Sequence, residues 1–352
     1  MMDIHMSAFS DWFSAHADEM LQPGQRVARV VTVDRDACLV REGNRETPAK
    51  LSGRFRFEAE SSPDLPCVGD FVCIQYASTA LAIIHSVLPR KTYLRRKASG
   101  KTVDFQMIAA NIDVAFVVQS CDYDYNLRRM DRYLVACSDG GIEPVIILTK
   151  TDLVTPDEVD ELMLDIRGSG ITAQIVPVSN STGDGQERFR ALFEPGRTYC
   201  FVGSSGVGKS TLINRLTGRE ELATKAVSVT GEGTHTTSRR QLLVLDNGTM
   251  VIDTPGMREL GLLGTGDGLD ESFSEVHALS TACRFNDCTH IDEPDCAVLE
   301  AVDKGALSED RYQSYLKLRK ENAYHDMSYA QKRKKDRDFG RFIKTYKKRN
   351  KR

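Results

Sequence analysis

Gly203-Ser204-Ser205-Gly206-Val207-Gly208-Lys209-Ser210 satisfies G-x-x-x-x-G-K-[ST] between an apolar run, TYCFVG, and a helix-forming segment, STLINRLTG. Glycines there let successive backbone N–H groups curl round phosphates, and the following helix start adds positive potential. Lys209 is expected to reach the β- and γ-phosphates and to act in catalysis, and Ser210 to ligate Mg²⁺ through its hydroxyl, with Thr211 completing the phosphate contacts. Asp253-Thr254-Pro255-Gly256 ends a second apolar run, MVID. A carboxylate at Asp253 suits the Mg²⁺ shell, and the Gly256 N–H suits the γ-phosphate. Between the two motifs lies GEGTHTTS, residues 231–238. It is expected to be ordered by a γ-phosphate and Mg²⁺, with Thr236 or Thr237 as the switch threonine. Met257 occupies the place where many GTPases carry a water-orienting glutamine. That role therefore falls to His235 or to a group supplied by a partner.

Thr149-Lys150-Thr151-Asp152 succeeds the apolar run PVIIL. An aspartate at the carboxyl end of a strand can accept hydrogen bonds from guanine N1–H and its 2-amino group, whereas adenine would leave it unpaired. Ser179-Asn180, after IVPV, stands where a loop backing the guanine O6 belongs. The base-reading residues thus precede the phosphate loop, the reverse of the usual Ras-like order. Cutting such a domain before its fourth strand and joining its old ends through residues 181–200 produces this order. The expected domain is a circularly permuted GTPase, with the switch region leading directly into the C-terminal module.

That module presents Cys283, Cys288, His290 and Cys296, spaced C-x4-C-x-H-x5-C. Three thiolates and an imidazole fill a tetrahedral Zn²⁺ shell and leave no open position, so a single structural zinc is expected. The other six of the nine cysteines are scattered, mostly inside apolar strand-like segments, and read as small hydrophobes. SEDRYQSYLKLRKENAY is helical and too small to bury a core unaided, which assigns the metal a folding role.

These residues need elements to hold them. Residues 1–24 read as a polar extension without periodicity. From 25 to 95, RVARVVTVD, ACLVRE, GRFRFEAE, DFVCIQYA and LAIIHSVLP have strand length and composition, giving a small β-barrel of OB or SH3-like type. KTYLRRKASGKT reads as a basic linker. Residues 105–265 alternate strand and helix: DVAFVVQ, then a helix through Leu127, Met130, Tyr133, Leu134 and Cys137, then a helix capped at Thr155-Pro156-Asp157-Glu158. QLLVLD and TMVIDT, joined by Asn247-Gly248, form a hairpin. A helical zinc module spans 270–330 and a basic tail 331–352. The fold class is multi-domain α/β.

The formal net charge of −3 divides into +10 on residues 332–352 and −13 on the rest, an acidic body with an arm suited to RNA. No apolar run approaches the ~18–20 residues that span a bilayer, and the N-terminus lacks a signal-peptide pattern, so a cytoplasmic protein with no membrane partner is expected. The alternative in another class is an RNA-binding module that holds GTP as a structural ligand with negligible turnover.

The order T-K-x-D, S-N, G-x-S-G-V-G-K-S, G-x-G-x-H-T-T, D-T-P-G and C-x4-C-x-H-x5-C resembles the RsgA/YjeQ family of ribosome small-subunit-dependent GTPases. The resemblance spans nearly the whole chain. It implies a late assembly factor, expected as a monomer, that cycles between GTP and GDP, binds the 30S subunit and its 16S rRNA, and hydrolyses GTP faster when bound there. In two places the sequence departs from the pattern. Thr149 replaces the asparagine usual in GTPases, which is expected to weaken guanine affinity, and Thr234 stands where a basic residue is common.

Overall fold

The structure, a computed structural model, describes residues 11–34, 37–97, 105–218, 240–253 and 266–326. His235, Thr236, Thr237, Thr234, Gly256, Met257 and the basic tail lie outside the described residues.

The polar extension holds a helix, α1 (Asp11–Met20). Its two buried residues, Phe13 and Ala17, stand four apart on one face, too few to register as periodicity yet enough to dock it. The Phe13 ring lies 4.6 Å from that of Phe71. The barrel comprises β1 (Arg26–Val33), β2 (Cys38–Glu42), β3 (Arg45–Leu51), β4 (Phe71–Ser78) and β5 (Leu81–Val87), with α2 (Gly53–Glu58) between β3 and β4. β1 pairs with both β2 and β4, and a parallel β3–β5 pairing closes the ring, giving the five-stranded OB-like barrel. An irregularity between Val30 and Thr32 bends β1 where it changes partner.

Only the third strand was misplaced by sequence. GRFRFE alternates like a strand, but Ser52 accepts a hydrogen bond from the Phe55 N–H and caps a helix instead. The true strand, RETPAKL, contains Pro48. Its ladder with β5 begins at Ala49, so Pro48 sits on a stretch with a neighbour on one side only. The basic linker is likewise half strand: β6 (Tyr93–Lys97) pairs with β7 (Phe105–Ala110).

The α/β layer runs as β8 (Val114–Ser120), α3 (Leu127–Asp139), β9 (Glu143–Thr149), α4 (Pro156–Gly168), β10 (Gln174–Val178), α5 (Gln186–Arg190), β11 (Thr198–Val202), α6 (Lys209–Thr217), β12 (Gln241–Val244) and β13 (Met250–Asp253). The Thr155/Glu158 capping box starts α4 as its sequence requires. The sheet order is β10-β9-β8-β11-β13-β12, parallel except for β12. Thr149, Val178, Val202 and Asp253 therefore end parallel strands on one sheet edge, and chain order no longer matters to where their loops meet. A bridge between Thr32 and Gln241 joins barrel and layer into one eleven-stranded sheet.

Four helices complete the described chain: α7 (Gly266–Ser272), α8 (Ser274–Ser280), α9 (Ala297–Asp303) and α10 (Glu309–Asp326). Apolar residues of this segment, including Phe273 between α7 and α8 and Val276, Val298, Tyr312 and Tyr315 on the helices, share one core with Met130, Tyr133 and Leu134 of α3. The module thus borrows a core from its neighbour.

Candidate functional site

The phosphate loop leaves β11 through Gly203 and enters α6 after Gly208. Gly203 has φ 148°, and a Cβ there would strike the Val118 carbonyl. Gly208 has φ 100°, and a Cβ would crowd the Asn180 amide at 3.2 Å and Thr149 at 3.8 Å. Val207 is fully buried and anchors the loop in the core, while the Tyr133 hydroxyl bonds the Ser204 side chain. The Lys209 ammonium donates to the Gly203 carbonyl (2.9 Å) and the Ser204 carbonyl (2.5 Å). Burial lowers its pKa to about 8 against the opposing pull of Asp253 and Asp124. A half-buried cation bonded to its own loop's carbonyls is poised for a stronger anionic partner. Ser210 and Thr211 occupy the first turn of α6, and Asp253, buried, ends β13.

The Thr149–Asp152 turn meets this loop directly. Thr149 is fully buried, and its hydroxyl lies 2.5 Å from the Val207 carbonyl and 3.2 Å from that of Gln119. The threonine that departs from the usual asparagine therefore ties the ends of β8 and β9 to the phosphate loop. Lys150 adopts left-handed φ 59° and opens a 3₁₀ turn over Thr151–Leu153. Asp152 accepts from the Ser179 hydroxyl at 2.6 Å, which holds its carboxyl below the ordinary range. Ser179 in turn accepts from the Ser181 and Thr182 N–H groups. Asn180 is fixed through its side-chain oxygen by Gln186 (3.1 Å) and through its carbonyl by Arg215. The fold thus brings Thr149–Asp152, Ser179–Asn180 and Gly203–Thr211 together with Asp253.

One contributor escaped sequence reasoning: the loop between β8 and α3. Asp122 accepts from the Lys150 ammonium at 2.7 Å, and Asp124 pairs with Arg129 at 2.8 Å. The signal was available in principle, since C-D-Y-D-Y-N places carboxylates after a parallel strand on the site's edge.

At the far end, Cys283, Cys288, His290 and Cys296 place one ligand atom each within 4.8 Å of one another. Cys283 Sγ lies 3.6 Å from His290 Nδ1 and 3.9 Å from Cys296 Sγ, and the latter lies 3.4 Å from His290 Nδ1. Zn–S bonds of about 2.3 Å and Zn–N of about 2.0 Å set tetrahedral vertices roughly 3.5–3.8 Å apart, so the donor set fits such an ion. Burial, then Arg319, holds His290 below its ordinary pKa, in the neutral form that ligates. Left-handed backbone at His290 and Asp295 turns the loop. Its carbonyls are pinned to α10, by the Tyr312 hydroxyl to His290 (2.6 Å) and by Arg319 to Thr289 and Cys288. Glu293 caps the same loop by accepting from Thr289 and Ile291, which lowers its pKa to about 2.

Fold and site together define a circularly permuted P-loop GTPase with an N-terminal OB-like barrel and a C-terminal helical module carrying a metal-competent cluster. The family described as RsgA GTPase matches residues 87–263. The small ribosomal subunit biogenesis GTPase RsgA 2 of Lactiplantibacillus plantarum is 40% identical over 331 residues, covering 94% of this chain and 93% of its own. The corresponding RsgA of Opitutus terrae is 40% identical over 327 residues, 90% of this chain and 88% of its own. The crystal structure of YjeQ from Thermotoga maritima superposes with a TM-score of 0.64 at 29% identity, covering 85% of this chain and 99% of that one. That of YloQ, a circularly permuted GTPase, gives 0.60 at 25% identity over 87% of this chain and 97% of that one. The chain belongs to the RsgA GTPase family. Among its described residues no helix is long and apolar enough to cross a membrane.

Proposed function

We propose that the protein is a cytoplasmic, monomeric GTPase that acts late in assembly of the 30S subunit, contacts 16S rRNA, and turns over GTP when seated there. The observation that carries this is the meeting of two loops from distant parts of the chain, the Thr149 hydroxyl on the Val207 carbonyl. A base-reading carboxylate and a phosphate cradle then share one sheet edge. Asp152, ionised and acceptor-only, takes guanine N1–H and the 2-amino group, a discrimination against adenine that reaches ~10⁴-fold. Ser179 and Asn180 back the base, and residues 203–211 wrap the phosphates. Lys209 exchanges its own loop's carbonyls for phosphate oxygens.

Ser210 and Asp253 are the residues that would hold Mg²⁺, whose charge offsets that developing on the phosphates. Gly256, His235 and Thr236 or Thr237 are assigned to the γ-phosphate and the attacking water on sequence grounds. The cysteine–histidine cluster holds one structural zinc. The names of the relatives support the ribosomal assignment. An exposed cation–aromatic contact also supports it, Arg284 over Phe285 beside the metal loop, as does the exposed Phe57 on α2.

The test is GTP hydrolysis with and without purified 30S subunits, with Lys209→Ala as blank. Strong stimulation by 30S with ATP inert supports the reading. Tight GTP binding without stimulated turnover overturns it in favour of an RNA-binding module that keeps GTP as a structural ligand. A second readout is proton linkage. With Lys209 titrating near 8 when free and restored upward by phosphate, binding GDP at about pH 9 takes up part of a proton. Calorimetry in buffers of different ionisation enthalpy measures that uptake, and Lys209→Met should abolish it.

A further inference from the structure

We propose that Asp122 is a positioning residue for guanine recognition, clamping Lys150 so that the base-reading turn is held from both flanking strands. The inference rests on the nucleotide-site reading above and extends it to the loop after β8.

β9 lies between β8 and β10 in the sheet. From the β10 side, Ser179 holds Asp152 at 2.6 Å. From the β8 side, Asp122 holds Lys150 at 2.7 Å, and the backbone bond from Cys121 N–H to the Thr149 carbonyl (2.9 Å) reinforces it. The two holds are symmetric about Thr151. Lys150 needs one, because its φ of 59° is a conformation that side-chain-bearing residues leave unless their surroundings fix it. A glycine would enter this turn freely, but it would lack the ammonium that reaches Asp122.

Asp122 is itself pre-oriented, unlike a mobile surface carboxylate. Its Oδ1 accepts from the Ser120 hydroxyl at 2.6 Å and the Asp124 N–H at 3.1 Å, leaving Oδ2 for Lys150. Side-chain exposures of 11% for Asp122 and 26% for Lys150 keep solvent from dissolving the pair. Burial works against the Asp122 charge, yet Lys150 and Ser120 hold its carboxyl below the ordinary range, so it stays ionised at neutral pH. With Lys150 fixed, its hydrocarbon stem is a preset wall beside Asp152 for a planar base to lie against, and the cost of ordering it is met before the ligand arrives.

A double-mutant cycle tests the clamp in the full-length protein, with fluorescent GDP as probe. Asp122→Asn keeps the acceptor for Ser120 and Asp124 but removes the charge facing Lys150. It should weaken GDP binding about tenfold, mainly through faster release, while kcat at saturating GTP stays within about twofold of wild type. Lys150→Ala should weaken GDP binding similarly, and adding Asp122→Asn to it should cost nothing further. Equal losses from Asp122→Asn in both backgrounds, or a fall in kcat with unchanged affinity, would overturn the clamp. Thermal melting of each variant separates these outcomes from loss of fold, since a purely structural role lowers the melting temperature in both backgrounds alike. Wild-type protein that failed to bind GDP would overturn the nucleotide reading along with the clamp.

Discussion

Two joints among the described residues are each built round a buried arginine, and the two arginines are satisfied by opposite means. Arg29, where the barrel meets the GTPase sheet, donates to the Gly69 carbonyl (3.2 Å), the Asn111 carbonyl (3.0 Å) and the Thr198 hydroxyl (2.9 Å). One of its nitrogens lies 2.8 Å from the Met250 thioether, and its plane lies 5.0 Å over the Phe71 ring. All of these are neutral, and burial lowers its pKa to about 10 despite Asp113 and Asp70 nearby. Arg311, where α10 meets α3, pairs with Asp131 at 2.5 Å and Glu275 at 2.7 Å, bonds the Ser272 carbonyl, and lies 3.8 Å over Phe273. The first joint uses a charge to satisfy backbone carbonyls that meet at a seam. The second matches opposite charges from three segments, so its strength depends on the charge state of its partners.

The largest effect should come from breaking the matched set. Arg311→Met leaves Asp131 buried without its cation, and the expected loss of stability in denaturant unfolding is about 3–5 kcal/mol. Arg29→Met leaves only neutral acceptors unpaired. Gly69 also keeps a bond from the Asn111 side-chain amide. Its expected loss is about 1–3 kcal/mol. If the Arg29 variant proved the more damaging, the contrast between dipole and charge satisfaction would not hold. Adding Asp131→Asn to Arg311→Met sharpens the test: removing the stranded charge should recover about 1–2 kcal/mol, though Ser314 then bonds an amide.

Neither joint was visible in the sequence, and the reason is distance along the chain. Arg29 and Met250 are 221 residues apart, and Arg311 and Asp131 are 180 apart. No local pattern marks an arginine as buried. The phosphate loop, the Thr155–Glu158 box, the Asn247-Gly248 hairpin and the cysteine–histidine spacing were legible because each carries its physics within a few residues. The short elements failed for the converse reason. Alternating Arg and Phe in α2 mimics a strand, Pro48 disguises β3, and two apolar residues in α1 are too few for a period. C-D-Y-D-Y-N marks carboxylates at a strand end, but only the placement of β8 beside β9 singles out Asp122 as the one that meets Lys150. Thr149 reads differently once placed: the sequence marks it as a weakened asparagine, whereas its hydroxyl bridges the base-reading turn to the phosphate loop.

The smallest effect separates the joints by pH. Burial holds the Asp131 carboxyl above its ordinary pKa, with Arg311 and Ser314 pulling down and Glu275 pushing up. An acid with a raised folded-state pKa binds more protons folded than unfolded. Its contribution is therefore most favourable at acid pH and diminishes as pH rises through the folded pKa. Without Arg311 the main downward pull disappears, so the carboxyl rises further. The cost of Arg311→Met should therefore shrink as pH is lowered from 7 towards 5, because Asp131 then sheds its stranded charge by protonation. Arg29 is bonded by carbonyls, a hydroxyl and a thioether, none of which titrates in that interval, and its neighbours Asp70 and Asp113 have partners of their own in Arg90 and the Thr198 N–H, so the cost of Arg29→Met should stay level. Unfolding free energies of both variants and wild type at several pH values give the two slopes. Parallel slopes would mean that Asp131 is not the charge Arg311 compensates, and the second joint would then have to be counted, like the first, as held by dipoles and packing.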